Sequence, residues 1–135
     1  MRYYIVSVMC ILGAVQAGII TDEQKTKLME YNKQCMEETN VAKELILKAK
    51  AGEYSDDPLL KKQILCVNKK AGFQNDAGDL QIDFIKSKVN EIIKDEKTTA
   101  DIVGKCAVNK GTPEDTAFEA VKCFHKLSPE KDVFS

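Results

Sequence analysis

Four cysteines, Cys35, Cys66, Cys106 and Cys123, constrain this 135-residue chain more than any other feature. A fifth, Cys10, sits in the opening stretch MRYYIVSVMCILGAVQA. That stretch has one basic residue, an apolar run from Tyr3 to Val15, and a small-residue close at Val15-Gln16-Ala17 that a signal peptidase could cut. The run is too short to span a hydrocarbon core of about 30 Å. Residues 1–17 therefore read as a secretory signal peptide, leaving one helical domain over residues 18–135. An even set of cysteines in a small secreted chain points to two disulfides, and spacing alone leaves three connectivities open.

Removing the leader also removes Arg2, so 19 lysines face 21 acidic residues for a net charge of −2. A chain with no arginine and no basic excess lacks what nucleic acid or an anionic membrane surface requires. Period-2 alternation is nearly absent, and turn signals divide the chain into about six short helices. Thr21 with Gln24 resembles a capping box and opens a helix to about Glu38, with Leu28, Tyr31 and Cys35 on one face. Asn40 is expected to cap a second helix burying Val41, Leu45 and Ala49 and ending near Gly52.

The third stretch, DDPLLKKQILCVNKKAG, carries its own start and stop signals. Asp56 or Asp57 can cap it, Pro58 suits its first position, and Gly72 ends it after Lys69 and Lys70. Leu60, Ile64 and Val67 form its apolar line. The turn GFQNDAGD should lead through a cap into a fourth helix with Ile82, Ile85, Val89 and Ile92 on its inner side. Asp95 or Thr98 starts a fifth, with Ile102, Val103 and Cys106, that Gly111 stops. Thr112-Pro113-Glu114-Asp115 starts a sixth carrying Phe118, Val121, Cys123 and Phe124. Pro129 keeps the tail SPEKDVFS out of that helix.

Catalytic chemistry finds little support. His125 is the single histidine, and Phe124 and Lys126 beside it supply neither nucleophile nor orienting carboxylate. The run Asn75-Asp76-Ala77-Gly78-Asp79 has the look of a calcium loop. Placing Gly78 at the sixth position, however, puts Phe73 and Phe84 at the first and twelfth, where oxygen donors belong. No cofactor or metal is expected. The apolar inner faces can fill a core or enclose a small ligand, and periodicity does not separate the two.

The cysteine frame separates them. With Cys35 as first, Cys66 as third, Cys106 as fourth and Cys123 as sixth, the chain resembles the insect pheromone and general odorant-binding proteins. That family places three residues between its second and third cysteines and eight between its fifth and sixth. The missing two fall at Lys62 and Glu114, the pattern of its four-cysteine, or C-minus, branch. AGFQNDAGDLQID and AFEAVKCF echo the same family. The resemblance implies disulfides Cys35–Cys66 and Cys106–Cys123 and an all-α fold of about six helices around an apolar cavity. It implies a secreted carrier of odorants, pheromones or other lipophilic compounds. It also leaves room for contact with a membrane receptor and for a monomer or weak homodimer.

The expected ligand-facing set is Tyr31, Leu60, Ile64, Phe84, Ile85, Val89, Val103, Phe118, Val121 and Phe124, with Val133 and Phe134 closing the cavity from the tail. Tyr31 is a candidate polar group toward the ligand, although a core tyrosine is the simpler reading of it. If the tail covers the cavity, Asp132 and His125 are the titrating groups near it. Lys62 and Glu114, oppositely charged, are expected to lie close together. The alternative reading is a secreted interaction or defence protein with a filled, membrane-active helical core, which the lack of a basic amphipathic helix disfavours. Ligand identity and tissue are not encoded.

Overall fold

The computed structural model describes residues 22–127, so the expected leader, the capping residue Thr21 and the tail residues Asp132, Val133 and Phe134 lie outside the described residues. Six helices follow in order: α1 Asp22–Thr39, α2 Lys43–Lys50, α3 Pro58–Ala71, α4 Ile82–Ile93, α5 Glu96–Cys106 and α6 Pro113–Leu127. Among the described residues the only extended pairing is a single antiparallel bridge between Gln74 and Leu80. No described helix is long and apolar enough to cross a membrane.

α3 forms as its sequence dictates. The Asp57 carboxylate accepts from the N–H groups of Leu59 and Leu60 at 2.8 and 3.2 Å, satisfying two donors that have no partner inside the helix. Pro58 fills the first position, and Gly72 closes the helix at φ +91°, a conformation side-chained residues rarely adopt. α5 is capped in the same way by Asp95, which accepts from Thr98 N–H at 3.0 Å. At α6, the Thr112 hydroxyl accepts from Asp115 N–H at 3.0 Å.

Other boundaries differ from the sequence reading. Asn40 does not open α2; it ends α1, at φ +61° with its N–H donating to Met36 C=O. Asparagine tolerates the left-handed conformation, so it serves as a stop as readily as a start. α2 begins after Ala42 with no side-chain cap and buries Ile46, while Leu45 and Ala49 are half-buried. α4 likewise starts after Gln81 with no side-chain cap. α5 ends at Cys106, well before Gly111.

Contacts run α1 to α3, α3 to α6, α6 to α5 and α5 to α4. The disulfides Cys35–Cys66 and Cys106–Cys123 pin the first and third of these, with Cα separations of 5.9 and 5.3 Å. Both pairings are the ones implied by the family resemblance. The α3–α6 contact is tied instead by charge, through Lys61 to Asp115 at 3.0 Å, while the same ammonium holds Asp56, just ahead of α3, at 2.9 Å. The pair is thus Lys61–Asp115 and not Lys62–Glu114. A step of one residue rotates a helical side chain by about 100°, and that step leaves Lys62 exposed.

The buried side chains divide into two clusters. Ile85, Val89, Ile102, Val103, Cys106, Ala120 and Phe124 knit α4, α5 and α6 together. Val41, Ile46, Leu60 and Phe118 join the α2 region to α3 and α6. The space between these two clusters is where the candidate site lies.

Candidate ligand-binding pocket

A partly open pocket of about 720 Å³ takes its walls from both clusters. α1 contributes Leu28, Tyr31 and Asn32, and α2 contributes Ile46 and Ala49. α3 supplies the longest stretch, Leu60, Gln63, Ile64, Val67, Asn68 and Ala71, at the spacing of one helical face. Phe73 and Leu80 from the following turn, then Phe84, Ile85, Val89 and Ile92 of α4, close a second side. Ala120, Val121 and Phe124 of α6 close a third. Charged lining residues are Glu23, Lys27, Lys50, Lys88 and Glu91, all but the half-buried Lys88 being exposed, so charge marks the rim.

The polar groups in the wall are mostly committed to the protein. Gln63, 2 % exposed, donates through Nε2 to the backbone oxygen and Oδ1 of Asn32 at 3.0 and 3.1 Å, and its Oε1 accepts from the Thr39 hydroxyl at 3.0 Å. Asn68 donates to Gln74 Oε1 at 2.8 Å, and Gln74 Nε2 donates on to Gly78 C=O at 2.8 Å. This buried relay holds the turn between α3 and α4 in shape, which fixes Phe73 and Leu80 in the wall. Amides satisfied in this way present the pocket with little unmet polarity.

Eight of the expected ligand-facing residues stand on this wall: Tyr31, Leu60, Ile64, Phe84, Ile85, Val89, Val121 and Phe124. Val103 and Phe118 do not. Val103 belongs to α5, which contributes no wall residue, and it packs within the α4–α5–α6 cluster. Phe118 packs with Leu60, Val41 and Ile46, while the Nζ atoms of Lys61 and Lys122 lie 5.2 and 4.9 Å from its ring centroid. Val133 and Phe134 lie outside the described residues.

Sequence reasoning missed Tyr54, Ile46, Gln63, Asn68, Phe73 and Leu80 as wall residues. Tyr54 is in the α2–α3 loop, where no periodicity exists to find it. It reaches the wall because Gly52, at φ +96°, passes so close to α6 that a Cβ there would stand 3.1 Å from His125 Nε2. Tyr54 then packs edge-on against Phe118 at 6.1 Å and His125 at 5.9 Å between ring centroids. Burial pushes its phenol pKa up, so it is a neutral hydroxyl at physiological pH. Among the described residues no cluster of histidine, cysteine or acidic side chains is placed to hold a metal.

Disulfide-linked helices around an apolar pocket define a class of small helical binding proteins, and comparison places the chain within it. The sequence profile of the PBP/GOBP family matches residues 18–127. The chain belongs to that family, the pheromone and general odorant-binding proteins. It is 39 % identical to the B1 protein of Tenebrio molitor over 119 residues, covering 88 % of this chain and 90 % of that one. Its fold is similar to that of the THP12 carrier protein of the yellow meal worm, with TM-score 0.59 and 36 % identity over 72 % of this chain and 89 % of that one. It is also similar to the fatty acid binding protein OBP56a from the oral disk of the blowfly Phormia regina. There the TM-score is 0.65 at 25 % identity, over 80 % of this chain and 94 % of that one.

Proposed function

We propose that this protein is a secreted, non-enzymatic carrier that takes small hydrophobic ligands into the pocket between its two core clusters. The observation that carries this reading is the wall itself: mainly aliphatic and aromatic side chains, with its amides already hydrogen-bonded to the protein. A volume of 720 Å³ falls within the roughly 300–1,000 Å³ of ordinary small-molecule sites. Removing a ligand's apolar surface from water at roughly 25 cal/mol per Å² supplies most of the affinity. Membership of the PBP/GOBP family supports the reading, as do a structural relative named as a carrier and another named as fatty acid binding.

The family and the leader-like pattern of residues 1–17 support secretion. Displacement of a fluorescent apolar probe from the mature chain, across aliphatic alcohols, esters and fatty acids, tests the proposal. Saturable displacement by some of them is expected, and displacement by none would overturn it.

A further inference from the structure

The charged lining side chains, Glu23, Lys27, Lys50, Lys88 and Glu91, mark the rim of the pocket, and the amides deeper in its wall are committed to the protein. Gln63 and Asn68 are bonded to Asn32 and Gln74. The remaining buried polar side chains lie off the wall and are also satisfied: Thr99 donates to Asn90 Oδ1 at 3.1 Å, and Thr116 Oγ1 accepts from Lys110 N–H at 2.8 Å. Two phenols differ. Tyr31 and Tyr54 both line the pocket, and among the described residues neither hydroxyl makes a hydrogen bond.

The two are held differently. Tyr54 is fixed by edge contacts with Phe118 and His125, at interplanar angles of 85° and 72°, and its loop is anchored by the close pass of Gly52 against His125. Tyr31 has no ring contact of this kind among the described residues. A donor immobilised before binding costs less to engage than one that must be ordered by the ligand.

We propose that Tyr54 is the hydrogen-bond donor that orients the bound molecule, and that the ligand presents an acceptor oxygen to it from an otherwise apolar body. One phenol donates one hydrogen bond, which suits one carbonyl. The proposal rests on the carrier reading and makes it more specific.

The test compares the mature chain with Tyr54→Phe and Tyr31→Phe against a matched pair of ligands, a straight-chain methyl ester and the alkane with the same number of heavy atoms. Circular dichroism checks that each variant keeps its helices, and the phenylalanine retains the ring contacts. Tyr54→Phe is expected to weaken the ester by about 2- to 10-fold, the range of one net hydrogen bond, and to leave the alkane unchanged. Tyr31→Phe is expected to weaken the ester less than Tyr54→Phe does, and an equal or larger loss there would take the donor role away from Tyr54. Equal weakening of both ligands by Tyr54→Phe would reduce Tyr54 to a packing role. No change with either ligand would likewise overturn the proposal while leaving the carrier reading intact. Failure of the unmutated chain to bind either ligand would overturn both.

Discussion

Lys61 of α3 and Asp115 of α6, separated by 54 residues in sequence, are joined by a 3.0 Å ion pair across a helix contact that carries no disulfide among the described residues. The same ammonium holds Asp56 at 2.9 Å and lies over the Phe118 ring. Covalent links pin α1 to α3 and α5 to α6, so this charge pair helps join the two halves whose clusters form the pocket.

The pair gives stability a defined pH dependence. Hydrogen bonds from Lys61 and then Thr112 hold the Asp115 carboxyl below its ordinary value of 3.8. A depressed carboxylate contributes stability above the unfolded value, and that contribution is lost as pH falls through the folded value. Lys61, whose pKa is raised by Asp56 and Asp115, stays protonated throughout this acid window. Asp115→Asn is expected to melt lower than the unmutated chain at pH 7 and low salt, by a few degrees at most because the pair is solvent-accessible. The gap should close as pH falls below the ordinary value of 3.8 and through the depressed one. Thermal melts across that range check this, and a gap independent of pH would contradict it.

Removing a disulfide should cost more. The sequence separations are 31 residues for Cys35–Cys66 and 17 for Cys106–Cys123. Chain-entropy reasoning assigns bridges of this span about 3–4 kcal/mol each, the longer loop being worth slightly more. Paired cysteine-to-serine variants measured by urea unfolding are expected to show that order.

Asp57→Ala is expected to destabilise the domain by about 1 kcal/mol, since it leaves the first N–H groups of α3 without their side-chain acceptor. Urea unfolding measures this, and a loss below a few tenths of a kcal/mol would mean water replaces the cap.

Gln74→Ala removes the centre of a buried relay and leaves the Asn68 amide without its acceptor. A loss of about 1–3 kcal/mol is expected. Because the relay positions Phe73 and Leu80, ligand affinity should fall together with stability, and binding titrations on the folded variant check the second effect.

Much of this architecture is legible in sequence because it is local. Asp57, Pro58 and Gly72 carry the boundaries of α3, and Leu60, Ile64 and Val67 carry its inner face. Asn40 misleads because capping at either end of a helix draws on the same residue. Lys62 and Glu114 mislead by one residue because cysteine spacing fixes where helices meet but not which side chain faces across. Phe118 and Val103 are apolar at the right period, yet periodicity reports burial and not whether the buried side chain meets a neighbour or a space. Tyr54 is invisible for another reason: its place in the wall depends on a loop conformation, and the loop depends on the fit of Gly52 against α6.

The central claim, that the space between the two clusters is where ligand binds, is tested most directly by filling it. Ala49 and Ala71 line the pocket and are half-buried, so tryptophan at either position projects into that space. The measurement is titration of residues 18–135, unmutated and as Ala49→Trp and Ala71→Trp, with one apolar ligand that the unmutated chain binds, beside thermal melts of all three. The expected result is a single saturable site in the unmutated chain and at least tenfold weaker binding in both folded variants. Unchanged affinity in variants that retain their helices and melting transitions would place the ligand elsewhere and contradict the account.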